Sequence, residues 1–341
     1  MDIPFDISMV FLDPARVPVA MAAWLLAVLA GMVTGPMHGN ANPFLWMISD
    51  KTLFRVAGRL DRRERKKPDL LFRGFLVTVV CLLVFWFFGD RADSIARRFD
   101  FAGTVEIIFL SLALTAGSVW FVLLRLYFAM KEKKPGKGAY YGIARSTRTD
   151  FSASDDYGIT RAGMVLAARS FDKGLVAPVF WYLLLGLPGA FIYTALAALA
   201  WRFGKDGCGS GFGDVMMALE KLMGFVPHIL AGLLMAMAGL FTPTGGMTRA
   251  FAGQILKKGK ATYDQGGLPV TAMAYALDVS LGGPVRDLDG DVIKRAWVGP
   301  DGATAKLAEG HLRRAIYISL MAHLLFIAGL TGGMFWGWLL F

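Results

Sequence analysis

Long apolar blocks recur along this chain, and they restrict its fold more than any other feature. They fall near residues 17–33, 74–89, 104–130, 175–201, 225–241 and 315–341. A bilayer-crossing helix needs roughly 17 to 25 predominantly apolar residues. In lipid every backbone N–H and C=O must be bonded internally, which leaves helices or a closed barrel. Blocks of this length fit helices and predict an all-α multipass membrane protein with about six transmembrane helices. Composition agrees, with 55% hydrophobic residues, 18% charged residues and a mean hydropathy of +0.51. The whole chain, residues 1–341, reads as a single integral membrane domain. Asp2, Asp6 and Asp13 against a lone Arg16 form the wrong flank for a cleavable signal peptide, so the first block is expected to stay as a span. The block at 175–201 is long enough for one tilted helix kinked at Pro188 or for a re-entrant pair.

Positive charge sets orientation, because Lys and Arg collect in cytoplasmic loops. Counted from the N-terminus, the segments between blocks carry 1, 9, 3, 9, 3, 10 and 0 basic residues. This alternation predicts a single crossing at 175–201, both termini outside, and the long loops 34–73, 131–174 and 242–314 in the cytoplasm. The net charge of +10 is topogenic on this reading. The expected partner is the lipid bilayer, and no nucleic acid is expected. Cys81 and Cys208 make neither a disulfide framework nor a metal cluster, and His38, His228, His311 and His323 are scattered, so no metal site is expected. His323, deep in the last block, reads as a packing residue.

The loops carry the remaining signals. The run from Asp61 to Lys67 reads as an interfacial basic segment, and Asp150, Asp155 and Asp156 as loop solvation and helix capping. Gly266-Gly267-Leu268-Pro269 opens a short helical stretch over 270–277. Asp289-Gly290 between apolar residues predicts a short β-hairpin over 285–293. The Asp287, Asp289, Asp291 cluster lacks the glycine position and distal glutamate of a calcium loop. The chain contains no phosphate-binding glycine loop, nucleophile-base-acid set or dinucleotide fingerprint.

Two spaced signatures then combine. Val176-Ala-Pro178-Val-Phe-Trp181-Tyr182, Gly186-Leu-Pro188-Gly189-Ala190 and Tyr193 resemble the core of the adenosylcobinamide-phosphate synthase family, also called cobalamin biosynthesis protein CobD/CbiB. Gly267-Leu-Pro269, Ala272-Met-Ala274, Ala276-Leu277, Val279 and Leu281-Gly282-Gly283-Pro284 resemble its second signature. Thr34-Gly-Pro36 and Asn42-Pro43 stand where the family has two N-terminal elements. The resemblance implies a bacterial inner-membrane protein with a cytoplasm-facing site. It also implies ATP- and magnesium-dependent amide joining of a corrinoid substrate, adenosylcobyric acid, to an aminopropanol phosphate.

The framework of glycines, prolines and aromatics is kept while the polar positions differ. Family carboxylates and amides are replaced by Val165, Arg169, Ser170, Lys173, Ala197, Ala200, Gln265 and Val270, and a family lysine by Thr194. Apolar groups at such places cannot hold magnesium or move a proton. No catalytic residue and no metal ligand is therefore assigned. The candidate polar site is Arg148, Arg161, Asp172, Lys173, Glu220 and Gln265. Three classes remain open: a divergent synthase using ATP and Mg, a catalytically degenerate membrane partner, sensor or scaffold with a protein partner, and a small-molecule transporter.

Overall fold

The computed structural model describes residues 13, 15–62, 64–99, 103–132, 137–152, 154–204, 209, 211–242, 246–255, 258–288 and 290–340. Asp2, Asp6, Cys208 and the hairpin residue Asp289 lie outside the described residues. The helices are α1 (Arg16–Thr34), α2 (Phe44–Lys51), α3 (Leu53–Gly58), α4 (Lys67–Arg98), α5 (Thr104–Ala113), α6 (Gly117–Lys131) and α7 (Lys137–Thr147). They continue with α8 (Asp156–Phe171), α9 (Ala177–Phe203), α10 (Asp214–Ala238), α11 (Gly246–Ile255), α12 (Gly267–Leu277) and α13 (Glu309–Leu340). Among the described residues five helical stretches are long and apolar enough to cross a bilayer, and the pair α5 and α6, bent by 47°, supplies a sixth candidate. The chain is thus a mostly helical membrane protein, as its apolar blocks predict.

The third block is broken rather than continuous. Between α5 and α6 the Thr115 N–H donates to the Gly174 carbonyl at 2.8 Å. The Thr115 hydroxyl donates to the Ala41 carbonyl at 2.5 Å. Bonds to other segments substitute there for the helical ladder, which is one way a span tolerates a break.

The fourth block corrects the expectation of a single crossing. Helix α9 is interrupted at Gly186, whose φ of 69° and ψ of −159° lie outside helical space. Two residues on, Pro188 has no N–H to return to the Leu184 carbonyl. Lys173 and Trp201 line the same small cavity, although a continuous helix between them would hold them roughly 40 Å apart. The segment therefore doubles back at Gly186 as a helical hairpin, and its two ends lie together. Arg16 closes the turn by donating to the Leu183 carbonyl at 3.0 Å. Near the same tip the Tyr182 hydroxyl donates to Glu106 at 2.7 Å.

Small residues allow the helices to approach closely, as membrane packing requires. A methyl group on Gly31 of α1 would collide with the backbone of Gly117 and Ser118 on α6. One on Gly89 of α4 would collide with Pro188 at the hairpin tip. The opposite face of α4 exposes Phe72, Phe75, Val80, Leu83, Trp86, Phe87 and Phe88, an apolar face suited to lipid.

The strands are β1 (Thr149–Asp150), β2 (Leu281–Gly282), β3 (Val285–Asp287), β4 (Val292–Ile293) and β5 (Trp297–Val298). The expected hairpin over 285–293 is present, with Val285 opposite Ile293. Two features go beyond the sequence reading. Strand β1 pairs antiparallel with β3, and β2 with β5. The long polar segments thus converge: Asn42 donates to the Ser146 carbonyl at 3.0 Å, β1 joins the second to the third, and Arg161 donates to the Ala305 carbonyl.

Replacing Gly186 with alanine places a side chain in a glycine-only region, costing on the order of 1–3 kcal/mol. Thermal unfolding of the purified protein in detergent is expected to show a lowered midpoint. An unchanged midpoint would contradict the tight-turn account of the hairpin.

Candidate functional site

The site is built where α8 runs into α9. Asp155 caps α8 by accepting from the Gly158 N–H at 2.7 Å. At the far end the helix widens into a single π-helical turn, Asp172–Val176. Such turns insert an extra residue, re-aim the side chains around them and occur often at functional sites. Consecutive charged residues, Asp172 and Lys173, are both buried here.

Each finds a partner on α10. The Lys173 Nζ donates to Glu220 Oε2 at 2.9 Å, with side-chain exposures of 4% and 0%. The other Glu220 oxygen accepts from the hydroxyls of Tyr263 at 2.9 Å and Tyr193 at 3.1 Å. The ammonium also stands 4.5 Å from the centre of the Tyr263 ring, a cation–π contact. One ammonium and two phenols therefore satisfy a carboxylate that has no access to water.

Beside this pair, Asp172 Oδ2 lies 2.6 Å from His228 Nδ1, and His228 Nε2 accepts from the Leu268 N–H at 3.0 Å. The second bond selects the tautomer: Nε2 is the acceptor, so Nδ1 carries the proton and donates to Asp172. Close approach of the α12 backbone requires Gly267, where a methyl group would collide with the His228 ring. The glycine of the second signature is thus the floor of the histidine. Asp172 Oδ1 is buried and has no hydrogen-bond partner among the described residues. Burial, reinforced by the charges of Glu220 and Asp172, holds the Tyr263 phenol far above its ordinary pKa, so it remains a donor.

Arg169 connects this cluster to the surface. Glu220, Asp264 and Asp172 surround it electrostatically, and it lines a cleft of about 400 Å³. Arg161, Arg286 and Arg295 line the same cleft with Asp155 and Gln265, and Val165, Val270 and Val285 form its apolar wall. Arg161 is held by its bond to Ala305 and lies over Trp297 at 5.2 Å. Gln265 Oε1 is buried without a partner among the described residues.

Of the six candidates, the structure gathers Asp172, Lys173 and Glu220 in the buried cluster and places Arg161 and Gln265 in the cleft. Arg148 does neither. Its guanidinium stacks on Trp201 at 5.4 Å and reaches Asp50 at 3.9 Å, where Arg202 also binds at 3.3 Å, so it braces α2 against the end of α9. The framework positions support the site. Trp181 donates to the Met223 carbonyl at 3.1 Å, Gly186, Pro188 and Gly189 make the hairpin turn, and Pro178 and Pro269 are buried in the flanking helices. Gly282 and Gly283 adopt positive φ, and a methyl group on Gly283 would collide with the Trp297 ring.

His228, Arg169, Tyr193 and Tyr263 were not singled out as site residues by sequence. One signal was available, since Glu220, Gly224 and His228 recur every four residues and so share a face of α10. Tyr263, a lone tyrosine on a short 3₁₀ turn, carries no such signal. His323, by contrast, is a packing residue: it bonds the Ser319 carbonyl at 2.7 Å and lies against Trp120 and Phe171.

The donor set does not suit magnesium, which takes near-octahedral oxygen ligands. Both Glu220 oxygens are occupied, one Asp172 oxygen is bound to His228, and a cation already stands between the helices. Among the described residues no three His, Cys, Asp or Glu side chains form a metal-holding group.

Fold and site together define a multipass helical membrane protein with a sequestered ion-pair cluster under an arginine-lined cleft. The family model for CobD/Cbib protein matches residues 18–319, and the chain belongs to that family. It is 30% identical over 200 residues to a cobalamin biosynthesis protein CobD of Rhodobacter capsulatus, covering 57% of this chain and 60% of that protein. It is 28% identical to a CobD protein of Rhizobium meliloti over 69% of this chain and 72% of that one. A CobD protein of Clostridium acetobutylicum aligns over 89% of this chain and 95% of its own length at 22% identity. No solved structure matches the chain.

Two outcomes follow from the geometry. Glu220→Gln strands the Lys173 ammonium in a buried site and is expected to cost about 3–5 kcal/mol, read as a lowered denaturation midpoint; a variant as stable as the parent would contradict the pair. Because the folded Tyr263 pKa is raised, its contribution is fully present below the unfolded value near pH 10 and lost as pH rises further. Stability measured between about pH 9 and 11 should fall, and Tyr263→Phe should flatten that fall.

Proposed function

We propose that the chain is an inner-membrane component of cobalamin biosynthesis that binds a small phosphate-bearing anion at a cytoplasm-facing cleft and no longer performs the family's ATP- and magnesium-dependent amide synthesis. One observation carries this reading: the buried carboxylates are already engaged by the protein's own Lys173, His228, Tyr193 and Tyr263, while four arginines line the adjoining cleft. Guanidinium groups suit phosphate oxygens because their planar donors bind them in pairs. Phosphoryl-transfer chemistry, in contrast, needs free carboxylates to hold a metal. The cleft is sized for a small phosphoester, so a corrinoid would meet this protein only at its surface or through a protein partner.

A divergent synthase is the second reading. It is favoured by the unpartnered oxygens of Asp172 and Gln265, which leave one carboxylate and one amide acceptor close to the cleft. In that reading the Asp172–His228 pair would accept a proton from an attacking amine.

Expression in a bacterium that lacks its own adenosylcobinamide-phosphate synthase, supplied with cobyric acid, separates the two. Correctly inserted protein is expected to leave cobalamin-dependent growth unrestored. Restored growth would overturn the non-catalytic reading in favour of the synthase. Inorganic pyrophosphate should raise the thermal midpoint of the purified chain, and Arg286→Ala should weaken that effect.

A further inference from the structure

A carboxylate buried as completely as Glu220 has three ways to persist: it takes up a proton, binds a metal ion, or meets a fixed cation. Its surroundings point to the third. Two phenol hydroxyls donate to Oε1, and these satisfy lone pairs without cancelling the charge. The Lys173 ammonium on Oε2 at 2.9 Å cancels it. The ammonium is itself placed by three independent features. The π-helical turn aims it inward, the Tyr263 ring lies 4.5 Å away, and the next residue, Gly174, is fastened to Thr115 through its carbonyl. A side chain held this way is a fixed part of the site.

We infer that the Lys173 ammonium is the resident cation of this pocket, standing where a hard divalent ion would otherwise be required, so that the cluster is assembled without metal. The oxygens of its cluster are of the hard-cation type: both oxygens of Glu220, the hydroxyls of Tyr193 and Tyr263 bound to that carboxylate, and, beside His228, the unpartnered Asp172 Oδ1. The His228 ring, bound to Asp172, lies 4.8 Å from the Tyr263 ring, whose hydroxyl binds Glu220, so the two carboxylates are linked through one pair of rings. With the ammonium removed, the pocket keeps its oxygen donors and regains negative charge, the combination that attracts Mg²⁺ or Mn²⁺. Truncating Lys173 therefore converts an internally neutralised pocket into a divalent-cation site. This inference rests on the reading that the buried carboxylates are engaged by the protein's own side chains, and it adds that Lys173 supplies the cation of the pocket.

The test uses the full chain in detergent, stripped with EDTA, with Mn²⁺ as the probe. Equilibrium dialysis and electron paramagnetic resonance report bound Mn²⁺, and thermal unfolding with Mn²⁺ or EDTA reports its effect on stability. The parent chain is expected to bind no stoichiometric Mn²⁺ and to unfold at the same temperature in both conditions. Lys173→Ala is expected to unfold at a lower temperature in EDTA, to bind about one Mn²⁺ per chain, and to recover its midpoint as the ion is added. The double variant Lys173→Met with Glu220→Gln, from which both charges are gone, should fold and bind none. Stoichiometric Mn²⁺ on the parent chain would overturn the inference. So would Lys173→Ala protein that is stable in EDTA and indifferent to Mn²⁺. If Lys173→Ala does not fold in any condition, the double variant decides: recovery of folding supports the inference and failure overturns it. Growth in the complementation assay is read separately, so a restored strain would sink the proposed function while leaving the metal content of the purified chain as the judge here.

Discussion

Everything at the polar end of this protein depends on one buried charge pair. Removing a carboxylate and an ammonium from water costs several kcal/mol each even in real proteins, and an apolar bilayer environment makes an error there more expensive. The cost is met by geometry: Lys173, Tyr193 and Tyr263 converge on Glu220. That convergence needs α9 to fold back, α10 to lie beside it, and the 3₁₀ turn at Tyr263 to reach over both. The hairpin at Gly186, the π-helical turn at Asp172 and the glycine beneath His228 can each be understood as supplying part of that alignment.

The helical membrane architecture was legible because apolar length is a nearly sufficient signal in lipid. The β-hairpin was legible from Asp289-Gly290 between apolar residues. The doubling back of α9 was not, and the physical reason is instructive. Counts of Lys and Arg report which side a loop prefers, and they were read as a ladder of single crossings. Yet Arg202 is held by Asp50 and Lys67 by Asp214 at 3.6 Å, so the segment after α9 keeps company with the first long loop. A moderate count of basic residues did not mark the opposite side. Gly186 and Pro188 were noticed as identifying residues, but a glycine's positive φ is a backbone property that no residue count contains.

The candidate site was half legible. Asp172, Lys173 and Glu220 were named as polar groups remaining at the cytoplasmic mouth of the family framework, and the structure brings those three together. Arg148 was named on the same ground and serves a different purpose, bracing α2 against Trp201. His228 and Tyr263 escaped because their importance comes from neighbours far away in sequence. The family framework explains the division. Glycine, proline and tryptophan positions set how closely backbones approach, and they have been kept. The polar positions set which ion or ligand the space will hold, and by the resemblance they read here as cations at Arg169 and Lys173 and as apolar groups at Val165, Ala197, Ala200 and Val270.

The Lys173–Glu220 pair also imposes an order of events during synthesis. The partners are 47 residues apart, and at a translation rate of about 5–20 residues per second the lysine waits roughly 2 to 9 s for its carboxylate. During that interval an unpaired ammonium must remain near the membrane surface, where its long stem lets it reach water. The α9 hairpin therefore cannot settle to its final depth until α10 has emerged, and the ion pair acts as a clock that makes one membrane element wait for the next.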